Sequence, residues 1–318
     1  MESWRKFFFI ISCLLALGCG SVANSKGKGS DFSVSQSADL TFINNIPTPF
    51  GVSVFDDQIF VSDLDSARVL LFKLDGRYLK SFSGNLKRPH SVLKLDSQHV
   101  VISDYGGQVL KINRETDAQE PFFPGFSGFK GPVHTLPLKD GGFLVTDFDR
   151  SELFFFDSKK QYRQSFSESV NQAVGFSKPH MAAQDKDGNL YVVDSQNHRI
   201  VKISASGKYL GWLNYRKGEN LKSYWSLEGS AKASSEPGKF DVPVSIFLLK
   251  DQFYVADVKN GRIQKFDLSG QWLSSLGRSE KLQLNWPYEG VPYQDKIYVA
   301  DSKNKRIVIA PLDFFTQK

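Results

Sequence analysis

Short runs of alternating apolar and polar residues recur along the chain, and six of them end in an aspartate. These aspartates are Asp63, Asp104, Asp147, Asp194, Asp257 and Asp301. The steps between them are 41, 43, 47, 63 and 44 residues, which indicates one repeated unit of about 43 residues. Because the alternation has a period of two and turn signals are frequent, the pattern predicts β-strands and excludes a helical solenoid.

Each unit is predicted to contain four short antiparallel strands. The aspartate run is the second strand, an apolar third strand follows it, and a turn such as Asp75-Gly76 precedes the fourth. The first strand opens with a proline, which is tolerated at that place because it has no N–H to donate. The six prolines are Pro49, Pro89, Pro132, Pro179, Pro243 and Pro287.

One such unit cannot bury both of its faces, whereas six units that close radially leave only short, protected edges. We therefore predict an all-β fold, a six-bladed β-propeller with four antiparallel strands per blade, over residues 38–318. Little chain remains after residue 309 for the fourth strand of the last blade. Residues 40–43 are predicted to supply that strand, so that the N-terminal strand closes the sixth blade.

The repeated aspartates are interpreted as structural. Five residues after the aspartate stands an arginine in four of the copies, and copies two and three have Gln108 and Glu152 near that place. The four arginines are Arg68, Arg199, Arg262 and Arg306. A residue needed once for chemistry would not recur six times, so we expect turn caps and ion pairs within each blade.

Two segments carry a resemblance to a known family. Residues 257–266 read Asp-Val-Lys-Asn-Gly-Arg-Ile-Gln-Lys-Phe, and residues 238–243 read Gly-Lys-Phe-Asp-Val-Pro. Both resemble the NHL repeat, and the resemblance extends over about residues 40–312, more strongly in copies one and four to six than in copies two and three. It implies a six-bladed propeller of a kind widely used as an interaction scaffold.

The N-terminus has the pattern of an export signal. A basic start at residues 4–6 precedes an apolar run of eleven residues, which is too short to span a bilayer as a helix. Residues 14–19 resemble the lipobox of bacterial lipoproteins, in which the cysteine is diacylated. Gly18 matches that pattern, whereas Ala16 and Leu17 depart from it. Lipidation at Cys13, which would leave a shorter apolar core, plain secretion and an uncleaved anchor are the alternatives.

The resemblance implies a signal peptide over residues 1–18, a lipid on Cys19 and a flexible tether over residues 19–37. Cys13 and Cys19 are the two cysteines, so the body has no thiol for a disulfide. We expect an exported, lipid-anchored protein of the bacterial cell envelope.

Composition adds little to this interpretation. The 318 residues include 41% hydrophobic and 23% charged residues, which is typical of a folded domain. The 27 phenylalanines favour β-structure. The net charge of +6 is spread along the chain, so together with export it predicts no nucleic-acid partner. We expect a monomer.

A binding face is predicted where the first strands begin and the second strands end. The long insertion, residues 214–237, is expected on the same face. The leading hypothesis is a non-enzymatic scaffold that binds a protein or small ligand there, with no catalytic residue assigned. The candidate residues are Tyr105, Phe148, Arg150, Arg216, Lys222, Tyr224, Trp225, Tyr288 and Glu289.

Histidines give the alternative hypothesis, a metal-dependent lyase or hydrolase. His90, His134 and His180 stand at the openings of three first strands, and three imidazoles are able to bind zinc while leaving a position open. Peptide-amidating lyases resemble this arrangement, but their ligands come from alternate blades. Gluconolactonase-like propellers bind calcium through a Glu/Asn/Asp set, and here Glu289 has no Asn partner at a channel opening. Three separately hydrogen-bonded histidines remain the other interpretation.

Overall fold

The computed structural model describes residues 32–37, 39–165, 175–213, 215, 218–219, 221–279 and 282–316. Two strands precede the first blade: β1 (Ser33–Ser37) and β2 (Leu40–Asn44). Blade one has β3 (Pro49–Phe55), β4 (Gln58–Asp63), β5 (Arg68–Lys73) and β6 (Tyr78–Phe82). Blade two has β7 (Pro89–Lys94), β8 (His99–Asp104), β9 (Gln108–Asn113) and β10 (Gln119–Pro121). Blade three has β11 (Pro132–Pro137), β12 (Phe143–Asp147), β13 (Glu152–Phe156) and β14 (Tyr162–Ser165).

The fourth blade has β15 (Pro179–Gln184), β16 (Leu190–Asp194), β17 (Arg199–Ile203), β18 (Tyr209–Leu213) and β19 (Trp225–Ser226). Blade five has β20 (Pro243–Leu249), β21 (Gln252–Asp257), β22 (Arg262–Asp267) and β23 (Trp272–Leu276). Blade six has β24 (Pro287–Tyr293), β25 (Lys296–Asp301) and β26 (Arg306–Pro311). Short 3₁₀ turns cover Ser195–Asn197, Val258–Asn260, Ser302–Asn304 and Leu312–Thr316.

The predicted six-bladed propeller is confirmed. The strands form six antiparallel sheets, four with four strands and two with five. Neighbouring blades share the apolar core; for example, Phe60 and Phe82 of blade one pack with Val100 and Ile102 of blade two. The first strands of successive blades lie side by side around a central channel. Among the described residues, no helix has the length and apolarity needed to cross a membrane.

Ring closure by the N-terminal strand is also confirmed. Strand β2 pairs antiparallel with β26, with Thr41 opposite Ile309 and Asn44 opposite Arg306. The sixth sheet has the order β1-β2-β26-β25-β24, so its outer strands come from the start of the described chain. Ile43 is fully buried in the seam.

Residues 33–37, which the sequence analysis assigned to the tether, form a strand instead. Strand β1 pairs with β2, whose outer edge would otherwise present unpaired backbone groups. The preceding Phe32 packs its ring against Phe72 and Tyr78, with centroid distances of 5.4 and 5.3 Å. The predicted signal peptide, Cys19 and the first part of the tether lie outside the described residues.

The long insertion is built into the fold. Strand β19 pairs with β18 at the outer edge of blade four. Trp225 Nε1 donates to the carbonyl of Leu268 at 3.1 Å, and its ring meets that of Tyr191 edge-on at 5.5 Å. Farther along, the Ser235 carbonyl accepts from the guanidinium of Arg262 at 3.0 Å. The insertion is therefore divided between the outer edge and the face where it was expected.

A pair of N-terminal truncations tests the closure. A chain that starts at residue 39 loses the exposed strand β1, and we expect its melting temperature to fall by a few degrees. A chain that starts at residue 46 also loses β2 with the buried Leu40 and Ile43, and we expect a fall of more than about 10 °C. Equal melting temperatures, measured by circular dichroism, would contradict closure by β2.

Substitution of Trp225 tests whether the insertion is structural. We expect Trp225→Ala to lower the free energy of unfolding by about 2–3 kcal/mol, because a half-buried ring and its hydrogen bond are lost. Leu227→Ala is the matched control, since Leu227 is 68% exposed and should change stability by less than about 0.5 kcal/mol. Equal urea midpoints for the two variants would show that β19 contributes no packing.

Candidate functional site

The repeated aspartates lie fully buried at the end of each second strand. In four blades the carboxylate accepts from the arginine five residues later, as between Arg262 Nε and Asp257 Oδ2 at 2.8 Å. It also accepts from a backbone N–H just ahead of the first strand of the same blade, as from Asn285 to Asp301 at 2.7 Å. In blade two, Gln108 Nε2 takes the place of the arginine at 2.8 Å from Asp104. Each aspartate therefore fixes where a first strand enters the channel.

We call the end of the channel where the first strands begin and the second strands end the motif end. Four side chains close the channel there. They are the residues that follow the opening proline in four blades, and we call them the plug: Phe50, His90, His180 and Tyr288. Phe50 stacks on Tyr288 with centroids 3.8 Å apart and meets His90 at 4.0 Å, while the rings of His90 and His180 are 5.0 Å apart. All four are less than 5% exposed.

Tyr105 and Phe148 cover the plug from the loops of blades two and three. Their rings lie 6.0 Å from His90 and 5.6 Å from His180, respectively. The Tyr105 hydroxyl donates to Asp149 at 2.8 Å, and burial together with that carboxylate raises the pKa of Tyr105. The predicted face is therefore packed shut above the channel.

Toward the opposite end, the channel widens into a cavity of about 400 Å³, which we call the channel cavity. All six first strands line it, mostly with apolar side chains such as Leu136, Phe247 and Val291. Lys94 and Tyr293, near the ends of their strands, stand at its mouth. The channel is thus blind at the motif end and open at the other, which we call the open end.

Glu289 lies at the inner end of this cavity, two residues after Pro287. Its Oε2 accepts from the backbone N–H of Val52 at 2.9 Å, across the seam between the last blade and the first. Gly51 makes room for this contact, because a Cβ there would stand 2.0 Å from the His90 carbonyl oxygen and 3.2 Å from Glu289 Oε2. No second hydrogen bond to Glu289 comes from the described residues.

Burial sets the protonation of the groups in this region. It raises the pKa of Glu289 to about 8 against the lowering effect of the Val52 N–H, so the carboxyl is mainly neutral at pH 7. It lowers the pKa of His134 to about 4. The N–H of Ala182 donates to His134 Nδ1 at 3.4 Å, which assigns the ring proton to Nε2.

The histidines do not form a three-ligand metal site. Within the described residues, no group of three or more His, Cys, Asp or Glu side chains is placed to share an ion. His90 and His180 belong to the plug, where His90 Nε2 and His180 Nδ1 are buried and have no hydrogen-bond partner among the described residues. His134 instead lines the channel cavity.

The predicted face residues are dispersed. Phe148, Tyr224, Tyr288 and Glu289 are buried, Trp225 is half-buried, and Arg150 and Lys222 are exposed, while Arg216 lies outside the described residues. Sequence reasoning placed Glu289 at a channel opening but missed the cavity beyond it. The available signal was the predominance of small and apolar residues from the third position of the first strands onward.

Comparison with known proteins agrees with this architecture. The family model for the NHL repeat matches residues 176–203, which span the first three strands of blade four. The chain is a six-bladed propeller that contains an NHL repeat. Solved structures with the same fold include virginiamycin B lyase from Staphylococcus aureus, with a TM-score of 0.58 at 12% identity over 86% of this chain and 99% of that one. An auxiliary nutrient binding protein from Bacteroides ovatus has a TM-score of 0.65 at 13% identity over 83% and 69%.

Sequence relatives include amidating enzymes. The propeller is 32% identical over 136 residues to the peptidylglycine alpha-amidating monooxygenase of Rattus norvegicus, which is 40% of this chain and 13% of that protein. It is 30% identical over 163 residues to a probable peptidyl-alpha-hydroxyglycine alpha-amidating lyase of Caenorhabditis elegans, which is 49% and 41%. The chain thus spans less than half the length of these relatives.

Replacing Glu289 by its neutral isostere tests its buried state. The folded pKa of about 8 exceeds the ordinary 4.5, so the folded protein holds an extra proton between these values and loses stability as pH rises through them. We expect Glu289→Gln to gain stability over the wild type from pH 5 to pH 8, by up to about 1.4 kcal/mol per pH unit. Urea unfolding at each pH measures this.

Titration of the histidines is common to both proteins and cancels in the difference. Glu228→Gln is the control, because Glu228 is exposed and its substitution should leave the pH profile unchanged. A constant difference between Glu289→Gln and the wild type from pH 5 to pH 8 would contradict a buried neutral Glu289.

Proposed function

We propose that this propeller is a binding protein that holds a small, largely apolar molecule in the channel cavity, entered from the open end. The observation that carries this proposal is the blind cavity of about 400 Å³ lined by all six first strands. Its size lies in the range of small-molecule sites, and an apolar wall with a few polar groups is their usual composition. The sequence analysis predicted a ligand bound at the face where the first strands begin. The present proposal keeps a small ligand but places it in the channel cavity, toward the opposite end.

The packing of the motif end favours this placement. Four aromatic or imidazole rings fill the channel there, and Tyr105 and Phe148 lie over them. Entry from that side would require the plug to move. At the open end, the turns between first and second strands surround the mouth, and Lys94 is held there by an ion pair with Asp56.

We further propose that the protein works at the cell envelope, anchored through Cys19. This rests on the lipobox resemblance and the export pattern of residues 1–18. The auxiliary nutrient binding protein of Bacteroides ovatus, which shares the fold, is by its name a binding protein. Ligand capture in the channel is consistent with such a role.

A metal-dependent lyase is the second candidate. The observation in its favour is the relationship to amidating lyases, together with the unpartnered nitrogens of His90 and His180. Metal content of the purified soluble domain tests it, with His90→Ala and His180→Ala as comparisons. Stoichiometric zinc or calcium that both variants lose would support the lyase, and its absence from the wild type would remove it.

A neutral apolar dye, N-phenyl-1-naphthylamine, tests the channel cavity. We expect it to bind the wild type in a 1:1 ratio by isothermal titration calorimetry. We expect Leu136→Trp, which adds bulk to the cavity wall, to weaken binding at least tenfold. Leu79→Trp is the matched control, since Leu79 lies exposed on β6. Unchanged binding to Leu136→Trp, or no binding to the wild type, would contradict the proposed site.

A further inference from the structure

Glu289 is the single acidic side chain among the described residues that line the channel cavity. The other titratable groups that face it are His134 from β11, Lys94 from β7 and Tyr293 from β24. Strands β3, β15 and β20 contribute none. The plug adds His90, His180 and Tyr288 on the far side, and burial keeps both histidines uncharged at neutral pH by lowering the pKa of each.

The charge at the mouth is compensated within the protein. The ammonium group of Lys94 pairs with Asp56, and Arg114 Nη1 binds the other oxygen of the same carboxylate at 2.9 Å. Tyr293 donates its hydroxyl to Asp57 at 3.1 Å. Within the part of the chain that the structure describes, no cationic side chain pairs with the carboxyl of Glu289.

The other carboxyl oxygen of Glu289, Oε1, has no hydrogen bond from the described residues. The Val52 N–H occupies Oε2, and no other hydrogen bond to the carboxyl comes from the described residues. The residue is only 7% exposed, so the bulk solvent offers little compensation for a charge there. A carboxylate in such surroundings is best satisfied by a cationic hydrogen-bond donor that enters the cavity.

We propose that the ligand of the channel cavity carries an amino group on an apolar body, and that its ammonium group pairs with the Glu289 carboxylate. This inference rests on the proposed function, because it specifies the ligand of the same cavity. The apolar body lies against side chains such as Leu136, Phe247 and Val291. The Nε2–H of His134 adds a donor for an acceptor atom elsewhere on the ligand.

Binding then releases a proton. An aliphatic amine, with a pKa near 10.4, enters as the ammonium ion, and the neutral carboxyl of Glu289 gives its proton to the solvent as the ion pair forms. Below pH 8 the affinity should therefore rise about tenfold per pH unit, and it should level off between pH 8 and pH 10.

Two probes that differ only at their polar end test the inference: 4-phenylbutylamine and 4-phenyl-1-butanol. At pH 7.5 we expect calorimetry to show at least tenfold tighter binding of the amine by the wild type. In Glu289→Gln the two probes should bind within about twofold of each other, with the alcohol unaffected. Glu228→Gln, an exposed carboxylate, is the control and should keep the preference for the amine.

Proton release in the wild type gives a readout that does not depend on a variant folding. At pH 6.5–7, titrations in buffers of different ionisation enthalpy should show nearly one proton released per amine and none per alcohol. Equal binding of both probes, or an amine preference that survives Glu289→Gln, would overturn the amine inference while leaving cavity binding in place. If neither probe binds but the naphthylamine dye does, the amine inference fails alone; if nothing binds, both proposals fail.

Discussion

Each blade buries one aspartate between the start of its first strand and the end of its second, and the ring is organised around these six groups. A desolvated carboxylate without partners is costly, so the surrounding donors are tightly constrained. In blade five, Asp257 accepts from Arg262, Asn260 and the backbone N–H of Asp241. Burial raises the pKa of Asp257 to about 6 in spite of these donors. Since the loop N–H and the arginine lie on different segments, one carboxylate fixes the loop that leads into the channel.

This constraint explains why one end of the channel is closed. When each loop is fixed, the side chains after the opening proline in four of the blades meet in the same small region. Phe50 and Tyr288 stack there, and His90 and His180 complete the plug. One residue farther along, the side chains of Ser91 and Glu289 already border open volume. The cavity is the part of the channel that remains unfilled beyond the plug. Its position therefore follows from the same repeated proline and aspartate positions that define the blades.

The blades and their closure could be predicted from the sequence because their signals are local and repeated. A proline, an aspartate and an arginine at fixed spacing define each unit, and the missing strand of blade six matches the extra strand at residues 40–43. The site could not be predicted in the same way, because it depends on distances between blades. Nothing in the sequence around Gly51 indicates that this residue lies against the His90 carbonyl. Likewise, the sequence places Trp225 in a loop, although its ring packs on Tyr191. Only the assembled ring determines which end of the channel is filled.

Glu289 connects the site to the stability of the ring. No disulfide joins the first and last blades, since the two cysteines precede the described residues. The seam is held outside by β2 on β26 and inside by the hydrogen bonds from Ser302 to the Pro49 carbonyl and from Val52 to Glu289. A charged acceptor makes a stronger hydrogen bond than a neutral one. An occupant that keeps Glu289 ionised by pairing with it would therefore strengthen the bond from Val52, so occupancy of the channel and closure of the ring favour the same state of one side chain.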